Sequence, residues 1–352
     1  MKLFIPGPTY VRPEILQEMA RQMIGHRDPE FAELLAPIIA KLKQILYTRQ
    51  EVFVATCSAT GLWEMGIRNL CRRKVLCATC GAFSERWAKV AEANGKEVTC
   101  LSVEWGKPNL PETIADALRR GDYDAFLLVH SETSTGLANP LAEIAEVLRD
   151  HPDVMFLVDA VSSMGGMKIE FDQLGIDFLL ASVQKCFALP PGLAICAVSE
   201  RALERAKEVP NRGYYFDLLE YKKNQDKFQT ISTPCIPQLY ALAKQLDAML
   251  AEGMEARFRR HRQMAEYVRE WARRRFALFP EAGYESDTLT TVTNTRKIDI
   301  RALNRELKAK HDCMISNGYG KLKDITFRIA HMGDLQMRDM EELLGWIDTI
   351  IG

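Results

Sequence analysis

The chain has 352 residues, with 46 basic and 47 acidic side chains and a net charge of −1. At ~100–200 residues per domain this length suggests two domains, possibly three, and near-neutral charge gives no general pull toward nucleic acid or acidic membranes. The opening MKLFIPGPTYVRPEI is too short in apolar residues for a signal peptide, and no run approaches the ~18 residues of a membrane span, so the reading is a cytoplasmic protein that binds neither nucleic acid nor membrane.

Short apolar segments alternate with helical patterns along the first two-thirds. EVFVA (Glu51–Ala55) runs into TGLWEMGIRNL, and KVLCA (Lys74–Ala78) into SERWAKVAEANG, which ends on the stop signal Asn94-Gly95. EVTCLSV, DAFLLVH (Asp124–His130), VMFLVDA (Val154–Ala160), FLLASV (Phe178–Val183) and LAICAVS (Leu193–Ser199) follow. Continuous apolar strands spaced by helices imply βαβ units and a mostly parallel sheet. From about Met249 the texture changes. EGMEARFRRHRQMAEYVREWARRRF predicts one long amphipathic helix, whose arginines, interleaved with Glu255, Glu266 and Glu270, read as a solvated face rather than a nucleic-acid face. A β segment TLTTVTNT, the helix DIRALNRELKAKH, the strand ITFRIAHMG and the helix MRDMEELLGWIDTII then suggest a small α+β domain.

Among the nine cysteines, Cys77 and Cys80 have CxxC spacing, but no second CxxC or histidine cluster accompanies them, so a zinc site is unsupported. Cys100 and Cys196 sit in apolar runs, where a thiol behaves as a small hydrophobe.

Ligands of open α/β sheets bind outside the carboxyl ends of the strands. The residues expected there are Cys57-Ser58-Ala59-Thr60-Gly61, Thr79-Cys80-Gly81-Ala82-Phe83, Ser131 to Gly136, Asp159 to Ser163, and Gln184-Lys185. Ser58 to Gly61 opens a helix, which makes it either a phosphate seat or an ordinary N-cap. Asp159 ends an apolar strand and needs a cation or strong donors. Lys185 ends the next one, and a buried lysine is either paired or reactive. An Asp159–Lys185 ion pair is the plain structural alternative, although a buried pair adds little stability. A phosphate seat, an acid, an aromatic and a lysine at one sheet edge match what pyridoxal 5′-phosphate (PLP) requires.

The chain resembles the class V, fold-type I PLP-dependent aminotransferases, in the alanine–glyoxylate and serine–pyruvate branch. The motifs that carry the resemblance are PGPTYVRPEIL, IGHRDPEF, CSATGLWE, GAFSERW, VHSETSTG, VDAVSSMGG, SVQKCFALPPGLA, STPCIPQLYAL and FRIAHMGD. It implies an α/β fold: a large domain with a mostly parallel sheet between helices (21–250), a small C-terminal α+β domain (251–352), and an N-terminal segment (1–20) packed on the partner of a homodimer. It further implies that Lys185 holds PLP as a Schiff base and shuttles the substrate α-proton. Asp159 would pair with the pyridinium nitrogen, Phe83 would stack on the ring, and Val161 would cover its other face. Thr133 would hydrogen-bond near the ring O3′. Ser58, Ala59 and Thr60 would seat the phosphate with Gln184 close by, and Thr233 would reach it from the neighbouring subunit. Arg328 would bind the substrate α-carboxylate, and Gly7 would help line the substrate entrance. The sequence departs from the family pattern at Ala59 and Ala330, where glycine is common, and in FQTISTP, which lacks a frequent tyrosine.

The implied reaction moves an amino group from a small amino acid, alanine or serine, to glyoxylate or pyruvate. With one carboxylate-binding arginine in view, aspartate or glutamate as donor is the alternative, and Arg12 and Arg27 are unassigned. A PLP lyase of the cysteine desulfurase type would carry histidines at the positions of Phe83 and Gln184 and a mobile loop cysteine. A dinucleotide oxidoreductase would need GxGxxG where the chain has CSATG. A non-catalytic scaffold subunit would not need Asp159, Lys185 and Arg328 together.

Overall fold

A computed structural model describes residues 1–352. Seven strands form one sheet, in the spatial order Glu51–Ala55, Ala194–Val198, Phe178–Ser182, Met155–Asp159, Ala125–Val129, Lys74–Thr79, Glu97–Ser102. Ala194–Val198 runs antiparallel to both of its neighbours, and the remaining pairings are parallel.

The continuous apolar runs have a simple cause. Alternate residues of each strand enter different cores: Phe126 and Leu128 face one layer of helices, while Leu127 and Val129 face another. The first layer contains helices Pro29–Ile45 and Ile236–Glu252, and the second contains Ala59–Leu70 and Ala82–Ala93. A sheet covered on both faces has no polar side, so period-two alternation disappears from its sequence.

The C-terminal third builds a second sheet of five strands: Lys2–Phe4, Cys313–Asn317, Thr326–Ala330, Leu289–Thr293 and Ala277–Leu278. Helices Met254–Arg275, Ile300–His311 and Met337–Ile351 cover it, with Val268, Leu303 and Leu343 in a shared core. The first strand of the chain therefore belongs to this sheet. Phe4 pairs in parallel register with Ile315 and is fully buried. Within the segment 1–20, expected against a dimer partner, Lys2–Phe4 packs on this sheet, while Ile15 of helix Pro13–Glu18 is buried in the core of the large domain.

Gly253, at φ +81°, separates the two long helices Ile236–Glu252 and Met254–Arg275. The expected solvated arginine face needs correction. Arg262 and Arg273 are largely exposed, but Arg257 is buried and Arg269 nearly so, on one stripe with His261, Met264 and Val268. Arg257 reaches the carbonyls of Gly165 (3.1 Å) and Cys186 (2.7 Å), Glu252 (2.9 Å) and Asp334 (3.1 Å). Burial alone would raise the Asp334 carboxyl, but Arg257 and Arg12 outweigh it and hold it below the usual range. Removing one partner of such a buried network strands the others. Arg257→Ala should therefore destabilise the protein by about 3–5 kcal/mol in urea unfolding, and a loss under about 1 kcal/mol would contradict this account.

Candidate active site

The carboxyl ends of Ala125–Val129, Met155–Asp159 and Phe178–Ser182 open on a cavity of about 310 Å³. That is the size of a small-molecule site. Gly7, Ser58, Ala59, Thr60, Phe83, Thr133, Asp159, Val161, Gln184 and Lys185 all line it. Ten residues expected at the site from sequence thus meet at one place. Thr233 does not: it is exposed, beyond the cavity wall. Arg328 stands behind the wall, where it donates to the carbonyl oxygen of cavity residue Thr133 (3.2 Å).

Asp159 is the last residue of its strand and is 3% exposed. Both carboxylate oxygens are occupied by neutral donors: the Trp63 indole N–H at 2.7 Å and the Val161 backbone N–H at 2.7 Å. Burial pushes the carboxyl up to about 6, and these two donors limit the rise. No lysine, arginine or histidine nitrogen lies within 4.0 Å of it. The ion pair with Lys185 is therefore not formed.

Lys185 follows the strand Phe178–Ser182 by three residues and donates from Nζ to the carbonyl of Pro6. It has no carboxylate partner. Burial lowers its ammonium to about 8, with the Arg328 charge adding to the effect. The N-terminal stretch holds this loop in place, since Thr9 donates from its backbone N–H to the Gln184 carbonyl (3.1 Å) and from its hydroxyl to the Lys185 carbonyl (3.0 Å). Gly7 has φ +109°, and a Cβ there would lie 2.7 Å from Lys185 Cδ. Only glycine lets the chain pass so close to the lysine.

Ser58 occupies the N-cap of helix Ala59–Leu70, but its side chain makes no cap bond. The Ala59 N–H donates to Ser182 Oγ (3.1 Å). The helix thus presents free hydroxyls and its positive end to the cavity. Phe83 opens helix Ala82–Ala93, and Glu132 fixes that turn: its carboxylate accepts from the backbone N–H groups of Phe83 (3.3 Å) and Ser84 (2.9 Å) and from Ser134 Oγ (2.6 Å). The Thr133 and Ser162 hydroxyls are 2.5 Å apart. Arg328 is 7% exposed, lies opposite Phe327 and Ile329 on its strand, and makes no ion pair. Burial lowers its guanidinium to about 10.

Trp63 and Glu132 were not singled out in the sequence. Trp63 lies one helical turn into CSATGLWE, where a buried indole N–H needs an acceptor, and Asp159 was the acid without a donor. The two unassigned arginines are engaged elsewhere. Arg12 pairs with Asp334 (2.7 Å) and Glu14 (2.5 Å), and Arg27 donates to the Thr230 carbonyl (2.8 Å) on the surface. Cys186, beside Lys185, is fully buried and its thiol is pushed up to about 12, as is that of Cys80. Burial likewise raises Cys77 far above the ordinary thiol value.

The family described as aminotransferase class-V matches residues 19–319. The chain is similar to an uncharacterized aminotransferase of Methanocaldococcus jannaschii, with 40% identity over 94% of this chain and 87% of the relative. It is also similar to a serine–glyoxylate aminotransferase of Methylorubrum extorquens (31%, over 95% and 86%) and an L-aspartate–glyoxylate aminotransferase of Paracoccus denitrificans (32%, over 95% and 86%). The crystal structure of alanine–glyoxylate aminotransferase from Nostoc sp. superposes with a TM-score of 0.93 at 29% identity, over 99% of this chain and 95% of that one.

The residues at the cavity suit PLP. Asp159 is a buried acid that lacks a cation, and Lys185 is a lowered amine that lacks an anion. Gln184 Oε1 is buried on the wall without a partner. Two measurements test this geometry. Labelling of Lys185 in the cofactor-free protein by an amine reagent requires the neutral amine, so labelling should rise through pH about 8. A rise only near the ordinary lysine value, ~10.4, would contradict the burial argument. Trp63→Phe removes a donor to the Asp159 carboxylate, which should raise that carboxyl further and weaken PLP binding about tenfold, read by equilibrium dialysis. Unchanged affinity would deny Trp63 this role.

Proposed function

The chain belongs to the class V aminotransferases, which are PLP-dependent, and on that premise we propose that it transfers the amino group of alanine or serine to glyoxylate or pyruvate. The observation that carries this reading is that Lys185 and Asp159 face one cavity without pairing with each other. When bound, PLP supplies an electron sink for the bond being broken at the substrate α-carbon.

The residues of this chain then divide the work. Lys185 would hold the cofactor through its aldehyde carbon, and its lowered basicity leaves much of the amine neutral near pH 8. The same amine would lift the substrate α-proton and deliver it to the cofactor carbon that carried the aldehyde. Asp159 would meet the ring nitrogen with a carboxylate that Trp63 and Val161 hold in place. Phe83 and Val161, both on the cavity wall, would cover the two faces of the ring. Ser58, Ala59, Thr60 and Gln184 would seat the phosphate. Thr133 lies near the ring hydroxyl, and Gly7 lines the entrance. Arg328 takes the α-carboxylate, since its buried guanidinium has two carbonyl partners and no acid. The deeply buried Cys186 thiol favours a transaminase over a desulfurase, which needs a thiol free to attack.

The working form is a homodimer in which the partner's copy of the exposed Thr233 loop reaches the phosphate. Exposed Tyr214, Tyr215, Phe228 and Met23 support an apolar interface. Tyr215 donates to the Thr56 carbonyl (3.0 Å), next to the phosphate seat, so this surface adjoins the site. The division into segments 1–20, 21–250 and 251–352 is part of the proposal, with the turn at Gly253 supporting the second boundary. So is a cytoplasmic location: no helix is long and apolar enough to cross a membrane, and all nine cysteines are free.

The test is a half-reaction. Alanine or serine, mixed singly with the PLP-loaded enzyme, should convert the cofactor to its amine form and release one equivalent of the 2-oxo acid. Lys185→Ala should slow this by a factor of about a thousand or more. If neither amino acid converts the cofactor, the reading fails.

A further inference from the structure

Arg86 is the only cation on the cavity wall besides Lys185. It lies three residues after Phe83 on helix Ala82–Ala93, so both side chains leave the same face. Its guanidinium stands 5.3 Å from the centre of the Phe83 ring. It pairs with no carboxylate. The adjacent Glu85 is engaged by the Trp105 indole N–H (2.6 Å), and Glu132 is engaged by Ser84 and Ser134. The polar contact of Arg86 is a neutral one, a donation to the Tyr319 hydroxyl at 2.6 Å.

Tyr319 connects this cation to the second one. It sits half-buried in the turn after strand Cys313–Asn317, with its ring 5.2 Å from that of Phe83. The Arg328 guanidinium lies 5.5 Å from the Tyr319 ring centre and the Arg86 guanidinium 6.0 Å from it. Two guanidiniums therefore lie within 6.0 Å of the centre of one aromatic ring beside the cavity, and neither has an anion. A phenol is a weak substitute for a carboxylate, because hydrogen bonds between ions are about twice as strong. Arg86 is exposed, so it can leave Tyr319 without burying its own charge.

We propose that Arg86 is the ligand for the side-chain carboxylate of a dicarboxylic amino acid such as aspartate, and that the site takes such acids as a second class of donor. The proposal rests on the reading that Arg328 holds the α-carboxylate. With alanine or serine, Arg86 stays on the Tyr319 hydroxyl. An acidic donor draws it off, and the two carboxylates then occupy Arg328 and Arg86 at once.

The test uses the PLP-loaded enzyme and its Arg86→Gln variant. Single-turnover conversion of the cofactor band is followed with aspartate and with alanine. Binding of the unreactive acids succinate and propionate is measured by calorimetry. The variant should lose about tenfold more in rate over concentration for aspartate than for alanine, and should weaken succinate about tenfold more than propionate. Equal losses for both donors would make Arg86 a clamp on Phe83 and Tyr319 and overturn the proposal. A wild-type enzyme that converts alanine but not aspartate would overturn it too, leaving the transaminase reading intact. Conversion by neither would overturn both.

Discussion

An ammonium and a carboxylate share one cavity here without neutralising each other, and the rest of the site follows from that separation. Had Asp159 and Lys185 paired, each would satisfy the other and neither would be available to a ligand. The carboxylate is instead held by two neutral donors, Trp63 and Val161, and the ammonium by one carbonyl, that of Pro6. Neutral partners compensate part of the desolvation and leave the charge uncancelled. Burial then moves both groups toward their uncharged forms, Asp159 up to about 6 and Lys185 down to about 8. A ligand that brings a ring cation to the first and an aldehyde to the second meets both needs.

Keeping them apart takes structure from distant parts of the chain. Adjacent parallel strands deliver the two residues to one sheet edge, with Asp159 registered against Leu180. Residues 6–9 then cover the lysine: the Pro6 carbonyl accepts a hydrogen bond from its Nζ, Gly7 passes beside its stem, and Thr9 binds the Gln184 and Lys185 carbonyls. Those residues are anchored because the preceding strand Lys2–Phe4 belongs to the C-terminal sheet. On the far side, Arg257 binds the Cys186 carbonyl and links it to Glu252 and Asp334, and Arg12 and Gln245 also bind Asp334. The lysine loop is thus braced at both ends by segments far apart in sequence.

That arrangement sets how much was legible beforehand. The strands of the large sheet could be read from apolar runs, because a sheet covered on both faces writes its burial directly into composition. Asp159 and Lys185 could be read because a charged residue closing such a run is a local anomaly. Trp63, Glu132, Tyr319 and Arg86 carry no local anomaly. Each acquires its role through a partner far away in the chain, as Glu132 does with Phe83 and Ser84, or Tyr319 with Arg86. Arg257 looked solvated for a related reason: counting charges along its helix hides that this arginine falls on the buried stripe with His261, Met264 and Val268. The pairing of Lys2–Phe4 with Cys313–Asn317 was equally invisible, since three residues give no period to read.

The central claim is that Lys185 is buried to react rather than to pair. The most direct measurement is to reduce the PLP-loaded protein with borohydride and map the modified peptide by mass spectrometry. The account predicts one reduced PLP adduct per chain, on the peptide carrying Lys185. An adduct on another lysine, or none at all, would contradict it.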